Sequence, residues 1–255
     1  MDRRRFLAAT AAGVSGFAGC LARTGGDAEP TTGTPVEPLT LAEQGFPSTI
    51  CAEEIKEKTI RAVVEPRFGT NWDGLTVERK YLRRNQQTLS DHQTVVGLRD
   101  GNRARAYPLT ILWWHEIVND DFGGPVMVTY CPLCGSGLVA DSVVAGEPTR
   151  FFVSGLLWQA PGVYAAASEL DNRTFVAYEN SSAVSEQVRN NANLVMYDEA
   201  TRSYWSQILG RAICGPLEGE RLTIRPSEVT TWGDWKARYP DTDVLLPPPY
   251  STLIE

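Results

Sequence analysis

The stretch VMVTYCPLCGSGLV at residues 126–139 constrains the fold more than any other. A β-branched apolar run enters a Cys-x-x-Cys turn and a second apolar run leaves it, which reads as strand, turn, strand. The spacing of Cys131 and Cys134 brings two sulfurs within reach of one metal ion or of each other. CPLCG looks like half of a rubredoxin-type or zinc-ribbon knuckle, in which the glycine lets backbone amides point at sulfur. His115 is one of only two histidines in the chain. Any chemistry this protein does is expected here.

The chain has 255 residues, 42% of them hydrophobic, enough for one large domain or two small ones with a core. Its beginning reads as targeting and not as fold. Arg3, Arg4, Arg5, Phe6 and Leu7 resemble a twin-arginine export signal, followed by a short apolar segment of small residues. Phe17-Ala18-Gly19-Cys20 resembles a lipobox, with Cys20 the lipidated first residue of the mature protein. The bland alternative is a cleaved signal with an incidental cysteine. Residues 1–19 are thus read as export signal and 20–38 as a lipid-anchored disordered tether rich in Thr, Gly, Pro and acid. Residues 39–255 are read as one globular domain. No later window of about 18 residues is apolar enough to span a membrane. The expected place is the outer face of the cytoplasmic membrane, with the membrane as partner through the anchor.

Charge narrows the partners. Removing residues 1–19 takes away three Arg and one Asp, so 24 basic and 31 acidic side chains become 21 and 30, a balance of −9. That argues against nucleic acid as partner. It suits a salt-loving organism such as a halophilic archaeon, where surface carboxylates hold water.

Along the domain, residues 52–64 space Ile55, Ile60, Val63 and Val64 as a short helix would. Asp100-Gly101 lies between two alternating runs, the strongest short-range hairpin signal. Pro108 opens an apolar helical run through Ile117 and Val118, stopped by residues 119–124. Residues 150–155 read as a strand. Residues 160–192 read as a surface insertion, helical around 182–189, with glycosylation sequons at Asn172 and Asn180. Residues 194–198 and 203–207 form another hairpin, and 212–224 a pair of short strands around Glu218-Gly219. A threonine-capped final helix occupies residues 230–239, stopped by Pro240. Many short strands and a few short helices predict an α+β fold, β-rich, with a mainly antiparallel sheet or barrel-like core. No glycine-rich phosphate loop follows a strand, so nucleotide binding is not expected.

The blocks GNRARAYPLTILWWHEIVND, GGPVMVTYCPLCGSGLV, FFVSGLLW, NLVMYDEATRSYWSQILG and TTWGDWKARYPDT, in that order, resemble the family catalogued as domain of unknown function 3179. The resemblance spans roughly residues 94–245 and implies no established chemistry. Members of that family pass almost directly from the SGLL-type strand to the LVMYD-type strand, which supports the insertion at 160–192. Cys51 and Cys214 fall outside these blocks. A bridge between them is one reading of the remaining cysteines, leaving the Cys-x-x-Cys as the functional pair.

A closed structural zinc site needs four ligands, and only one knuckle is present. Cys131 and Cys134, with His115 and the thioether of Met196, instead suit copper or zinc in an open site, copper(I) best of all. Met127 is a rival thioether, and core packing is the bland reading of both methionines. Trp114, Tyr130, Asp198, Trp205, Ser206 and Gln207 are expected to wall a pocket beside the cysteines, although core packing is the ordinary fate of such tryptophans. No nucleophile elbow surrounds Ser206, so a hydrolase built from Ser206, His115 and Asp198 is set aside. The leading expectation is an exported, lipid-anchored module that binds or delivers a soft metal to an accepting partner protein, without turnover. The alternatives are a thiol–disulfide oxidoreductase using Cys131 and Cys134 with a redox partner, and a structural cell-surface module with no ligand.

Overall fold

β-Branched and aromatic runs dominate the domain, and they become strands. The computed structural model describes residues 40–43, 46, 48–56, 60–82, 87–159 and 192–255. The export signal, Cys20, the tether, and the insertion with Asn172 and Asn180 lie outside the described residues.

In chain order the strands are β1 (Val63–Glu65), β2 (Phe68–Gly69), β3 (Thr94–Asp100), β4 (Arg103–Pro108), β5 (Ile117–Asp121), β6 (Pro125–Cys131) and β7 (Ser136–Asp141). There follow β8 (Val143–Val144), β9 (Glu147–Pro148), β10 (Phe151–Gln159), β11 (Ala192–Asp198), β12 (Tyr204–Ser206), β13 (Arg211–Cys214), β14 (Ser227–Thr231), β15 (Asp243–Leu245) and β16 (Thr252–Leu253). Two α-helices are described, α1 (Leu109–His115) and α2 (Trp232–Arg238). The strands form open sheets ordered β16-β1-β5-β6-β7, β10-β11-β12-β13 and β14-β3-β4-β15-β2, with a β8-β9 ribbon. The fold is therefore α+β and β-rich, mainly antiparallel, with parallel pairs at β1–β5 and β15–β4, and the sheets do not close into a barrel.

The β16-β1-β5-β6-β7 sheet is the middle layer, and alternation explains it. Val118, Val126, Val128 and Val139 face one core, with Val95, Leu98, Tyr107, Trp232 and Trp235 of the β14-β3-β4-β15-β2 sheet and α2. Ile117, Met127, Cys131 and Ala140 face a second core, with Phe151, Met196, Trp205 and Ala212. A sheet buried on both faces needs apolar residues at every position, hence the unbroken run before Cys131. A third cluster lies around Val195, Tyr204, Ile213 and Cys214, where Leu41, Phe46 and Ile50 pack. The Cys51–Cys214 disulfide ties that N-terminal segment to β13.

Several expectations hold. The 94–107 hairpin forms, but its two-residue loop is Gly101-Asn102, one residue later than expected, with Gly101 at φ 58°. The 126–139 and 194–207 pairs form as expected. Three expectations are corrected. The described residues of 52–64 form no helix: Ala52 ends a 3-10 turn that starts at Ser48, and Val63 and Val64 enter β1, which pairs with β16 and β5. The helix from Pro108 stops at His115, because Glu116 takes the left-handed conformation at φ 53°, and Ile117 and Val118 begin β5. In 212–224 only β13 is a strand, and its return is reduced to the isolated bridge Arg211–Arg221, while Ile224 bridges to Ala140 of β7. The final helix is capped by Thr231, whose Oγ1 accepts the Asp234 N–H, while Thr230 belongs to β14.

Candidate functional site

β6 cannot run on past Cys131, because Pro132 lacks an N–H and Gly135 turns the chain at φ 63°. The Gly135 N–H donates to the Cys131 carbonyl at 2.9 Å and β7 leaves antiparallel, with Cys131 opposite Ser136. Cys131 and Cys134 are joined as a disulfide, their Cα atoms 5.2 Å apart. The Cys134 N–H points at Cys131 Sγ from 3.1 Å. The two sulfurs differ in access: Cys131 is fully buried and Cys134 half-buried.

One side chain ties this knuckle to the facing sheet. Gln207 Oε1 accepts the Ser136 hydroxyl at 2.8 Å, and Gln207 Nε2 donates to Thr129 Oγ1 at 3.0 Å. Thr129, Cys131 and Ser136 share one face of the β6–β7 pair, so Gln207, fully buried, clasps both strands on the disulfide's own side. Thr129 and Ser136 escaped the sequence reading. The period of two marks Thr129, two residues before Cys131, and Ser136 follows from its place opposite Cys131 across the turn.

The other residues singled out from the sequence divide. Met196 is fully buried in the same cluster as Cys131. Trp205 lies in that cluster too, but its Nε1–H goes to Asp198 at 3.0 Å. Asp198 also accepts from the Thr201 N–H and hydroxyl and the Ser203 N–H, so its carboxylate closes the β11–β12 turn. Ser206 Oγ is held by Asn193 and accepts the Leu209 N–H. Tyr130 lies on the opposite face from Cys131, half-buried against the first core, its ring over Gly137. Trp114 is 47% exposed on α1.

His115 is buried at the end of α1 with Nδ1 against the Arg61 carbonyl at 2.7 Å. Burial lowers its pKa, opposed by that carbonyl and by the Tyr81 backbone beside it, although Nε2 makes no full hydrogen bond. Among the described residues no three His, Cys, Asp or Glu side chains come together as a metal site, so His115 does not join both cysteines. Its neighbour Glu116 was not foreseen. Glu116 is 4% exposed, its Oε2 has no partner, and burial raises its pKa to about 7.

Fold and site together define a β-rich α+β domain with a Cys-x-x-Cys disulfide clamped between two sheets. A family model described as protein of unknown function (DUF3179) matches residues 58–165 and 172–252, and the chain belongs to that family. No curated protein and no solved structure matches the chain.

Proposed function

We propose that this domain exchanges its Cys131–Cys134 disulfide with thiols of a redox partner protein. The observation that carries the reading is the asymmetry of the pair, with Cys134 reachable and Cys131 buried behind a hydrogen bond from the Cys134 N–H. An incoming thiolate attacks Cys134 Sγ, the Cys131–Cys134 bond breaks, and its electron pair leaves on Cys131. The Cys134 N–H is already aimed at that sulfur, and a donated hydrogen bond stabilises a leaving thiolate. A second thiol of the partner then attacks the mixed disulfide. The partner leaves with a new disulfide, and the domain keeps two thiols until another disulfide reoxidises it. Export to the membrane's outer face, anchored through Cys20, places this exchange where disulfides persist.

A redox titration against glutathione couples, together with the two single variants, tests the reading. In Cys131→Ser the remaining Cys134 thiol reacts with an aromatic disulfide reagent at least tenfold faster than the Cys131 thiol does in Cys134→Ser. A pair that stays oxidised across the glutathione range, or equal rates in the two variants, overturns it.

The reduced pair also supports a second reading, a soft-metal site. Two thiolates with the Met196 thioether in the same buried cluster suit copper(I) better than zinc. Anaerobic titration of the reduced protein with copper(I) tests it. Affinity unchanged in Cys131→Ser counts against it.

A further inference from the structure

We infer that the partner meets this domain as an extended, cysteine-bearing peptide segment that adds a strand to the open edge of β7. The inference rests on the exchange reading and names its substrate class. β7 is the last strand of its sheet, so among the described residues no strand pairs with its outer side, where an isolated bridge joins Ala140 to Ile224. Its far end is covered: the Arg225 N–H donates to Val139 C=O at 2.8 Å and the Asp141 N–H to Thr223 C=O at 2.9 Å. Val139 and Asp141 therefore turn their backbone groups outward, and antiparallel alternation turns those of Gly137 the same way. On the other side, the N–H of Tyr130, opposite Gly137, goes to Glu116 C=O, away from β7. Gly137 is thus an exposed residue whose N–H and C=O face outward, with no hydrogen-bond partner among the described residues.

Exposed strand edges are normally guarded by charge, proline or a covering loop. Ser136, Gly137 and Leu138 supply none of these. The neighbouring side chains are apolar and exposed: Leu133 in the knuckle, Ile224 beside the covered end, and Ile208 in the turn after Gln207, at 37%, 54% and 65%. Side chains alternate along a strand laid on β7, so the residue opposite Gly137 turns to the face of Tyr130 and the next one, alongside Ser136, turns to the face that carries the disulfide. A cysteine at that place meets the reachable sulfur. Main-chain bonds to Gly137 give affinity without demanding sequence, and the apolar flank prefers alternating apolar residues.

Gly137 itself cannot be varied cleanly, because a Cβ there would lie 2.6 Å from the Thr129 carbonyl oxygen. The test therefore varies the peptide against the full-length chain. Reduction of the Cys131–Cys134 disulfide is followed by stopped flow with four thiols matched in pKa. These are a seven-residue peptide with a central cysteine and alternating valines, the same peptide N-methylated at the residue before the cysteine, the same peptide N-methylated at the residue after it, and mercaptoethanol. The expected result is a rate constant at least tenfold higher for the unmethylated peptide, lost on methylation at one side of the cysteine and kept at the other. An advantage that survives methylation on both sides, or equal rates for all four thiols, overturns the strand-addition inference and leaves the exchange reading standing. No reduction by any of the four overturns the exchange reading itself.

Discussion

Asn119 closes both backbone groups of Phe151 with its side chain. Its Oδ1 accepts the Phe151 N–H at 2.7 Å and its Nδ2 donates to the Phe151 C=O at 3.0 Å, both buried. A carboxamide here does what a neighbouring strand would do, and it joins the middle sheet to the start of β10. Asn119→Ala leaves two buried backbone groups unpaired, at about 1–3 kcal/mol each. Asn119→Asp keeps the shape but loses the donor. Urea unfolding should show a loss of at least about 2 kcal/mol for Asn119→Ala, with Asp no better. A loss under about 0.5 kcal/mol would mean the sheets are held together elsewhere.

Gln207 repeats this device at the knuckle. Gln207→Ala leaves Thr129 Oγ1, on a residue 1% exposed, without its partner, and Ser136 without its acceptor. Gln207→Glu keeps an acceptor for Ser136 and loses the donor to Thr129. Stability should fall by about 1–3 kcal/mol in Gln207→Ala. Reaction of Cys134 with external thiols should change in the same variant, since the clasp holds the strands that present the disulfide. Unchanged thiol kinetics at lowered stability would make Gln207 a structural tie only.

Local elements were largely legible in the sequence, and the layering was not. The strands around Cys131, the Asp198–Tyr204 hairpin and the threonine-capped α2 follow from alternation, turn residues and capping. The run through Ile117 and Val118 misled because a helix and a doubly buried strand both read as continuous apolar sequence. Only the left-handed turn at Glu116 separates them, and a glutamate gives no sign of it. Of the expected metal ligands, Cys131 and Met196 meet in one core. His115 is drawn instead to the Arg61 carbonyl, a contact made by distant chain. Gln207 was placed near the cysteines for its polarity, and its two partners follow only once the sheets are stacked.

Glu116 should make stability depend on pH. Its folded pKa of about 7 lies above the ordinary 4.5, through burial. Below pH 4.5 the group is neutral folded or unfolded and costs nothing. Between 4.5 and 7 the unfolded chain ionises while the folded chain does not, so stability is lost as pH rises and levels off above 7. The expected loss is about 3 kcal/mol. Glu116→Gln removes the titration, so its advantage over the parent should grow from pH 4.5 to 7 and then stay constant. Denaturant midpoints across pH 4–8 check this. A difference independent of pH would place the carboxyl in water.

The two disulfides should contribute unequally. Cys51 and Cys214 are separated by 163 residues, whereas Cys131 and Cys134 are separated by 3. Loop entropy assigns roughly 5 kcal/mol to the long bridge and roughly 2 kcal/mol to the short one. The long bridge also holds Leu41, Phe46 and Ile50 on their cluster. Cys51→Ala with Cys214→Ala should therefore lower Tm more than Cys131→Ala with Cys134→Ala. The opposite order in calorimetry would assign the stabilising role to the knuckle.

Gly97 lies in the middle of β3 for lack of a side chain, not for an unusual backbone angle. A Cβ built there would lie 2.3 Å from Trp235 Cζ3 and 2.5 Å from Cε3 and Cη2, the outer edge of the indole. Trp235 cannot swing away, because it is 1% exposed and its Nε1–H is tied to Thr242 Oγ1 at 2.8 Å. Gly97→Ala should thus cost about 1–3 kcal/mol through overpacking, despite alanine's freedom to adopt a strand. Trp235→Phe removes the outer ring atoms and leaves Thr242 without its donor, so alone it is also destabilising. In the double variant the new methyl group occupies space the indole vacated. The two losses should then sum to more than the double variant shows, by at least about 1 kcal/mol. Additive losses in urea unfolding would mean that β3 shifts to relieve the clash and that the indole does not dictate glycine at this position.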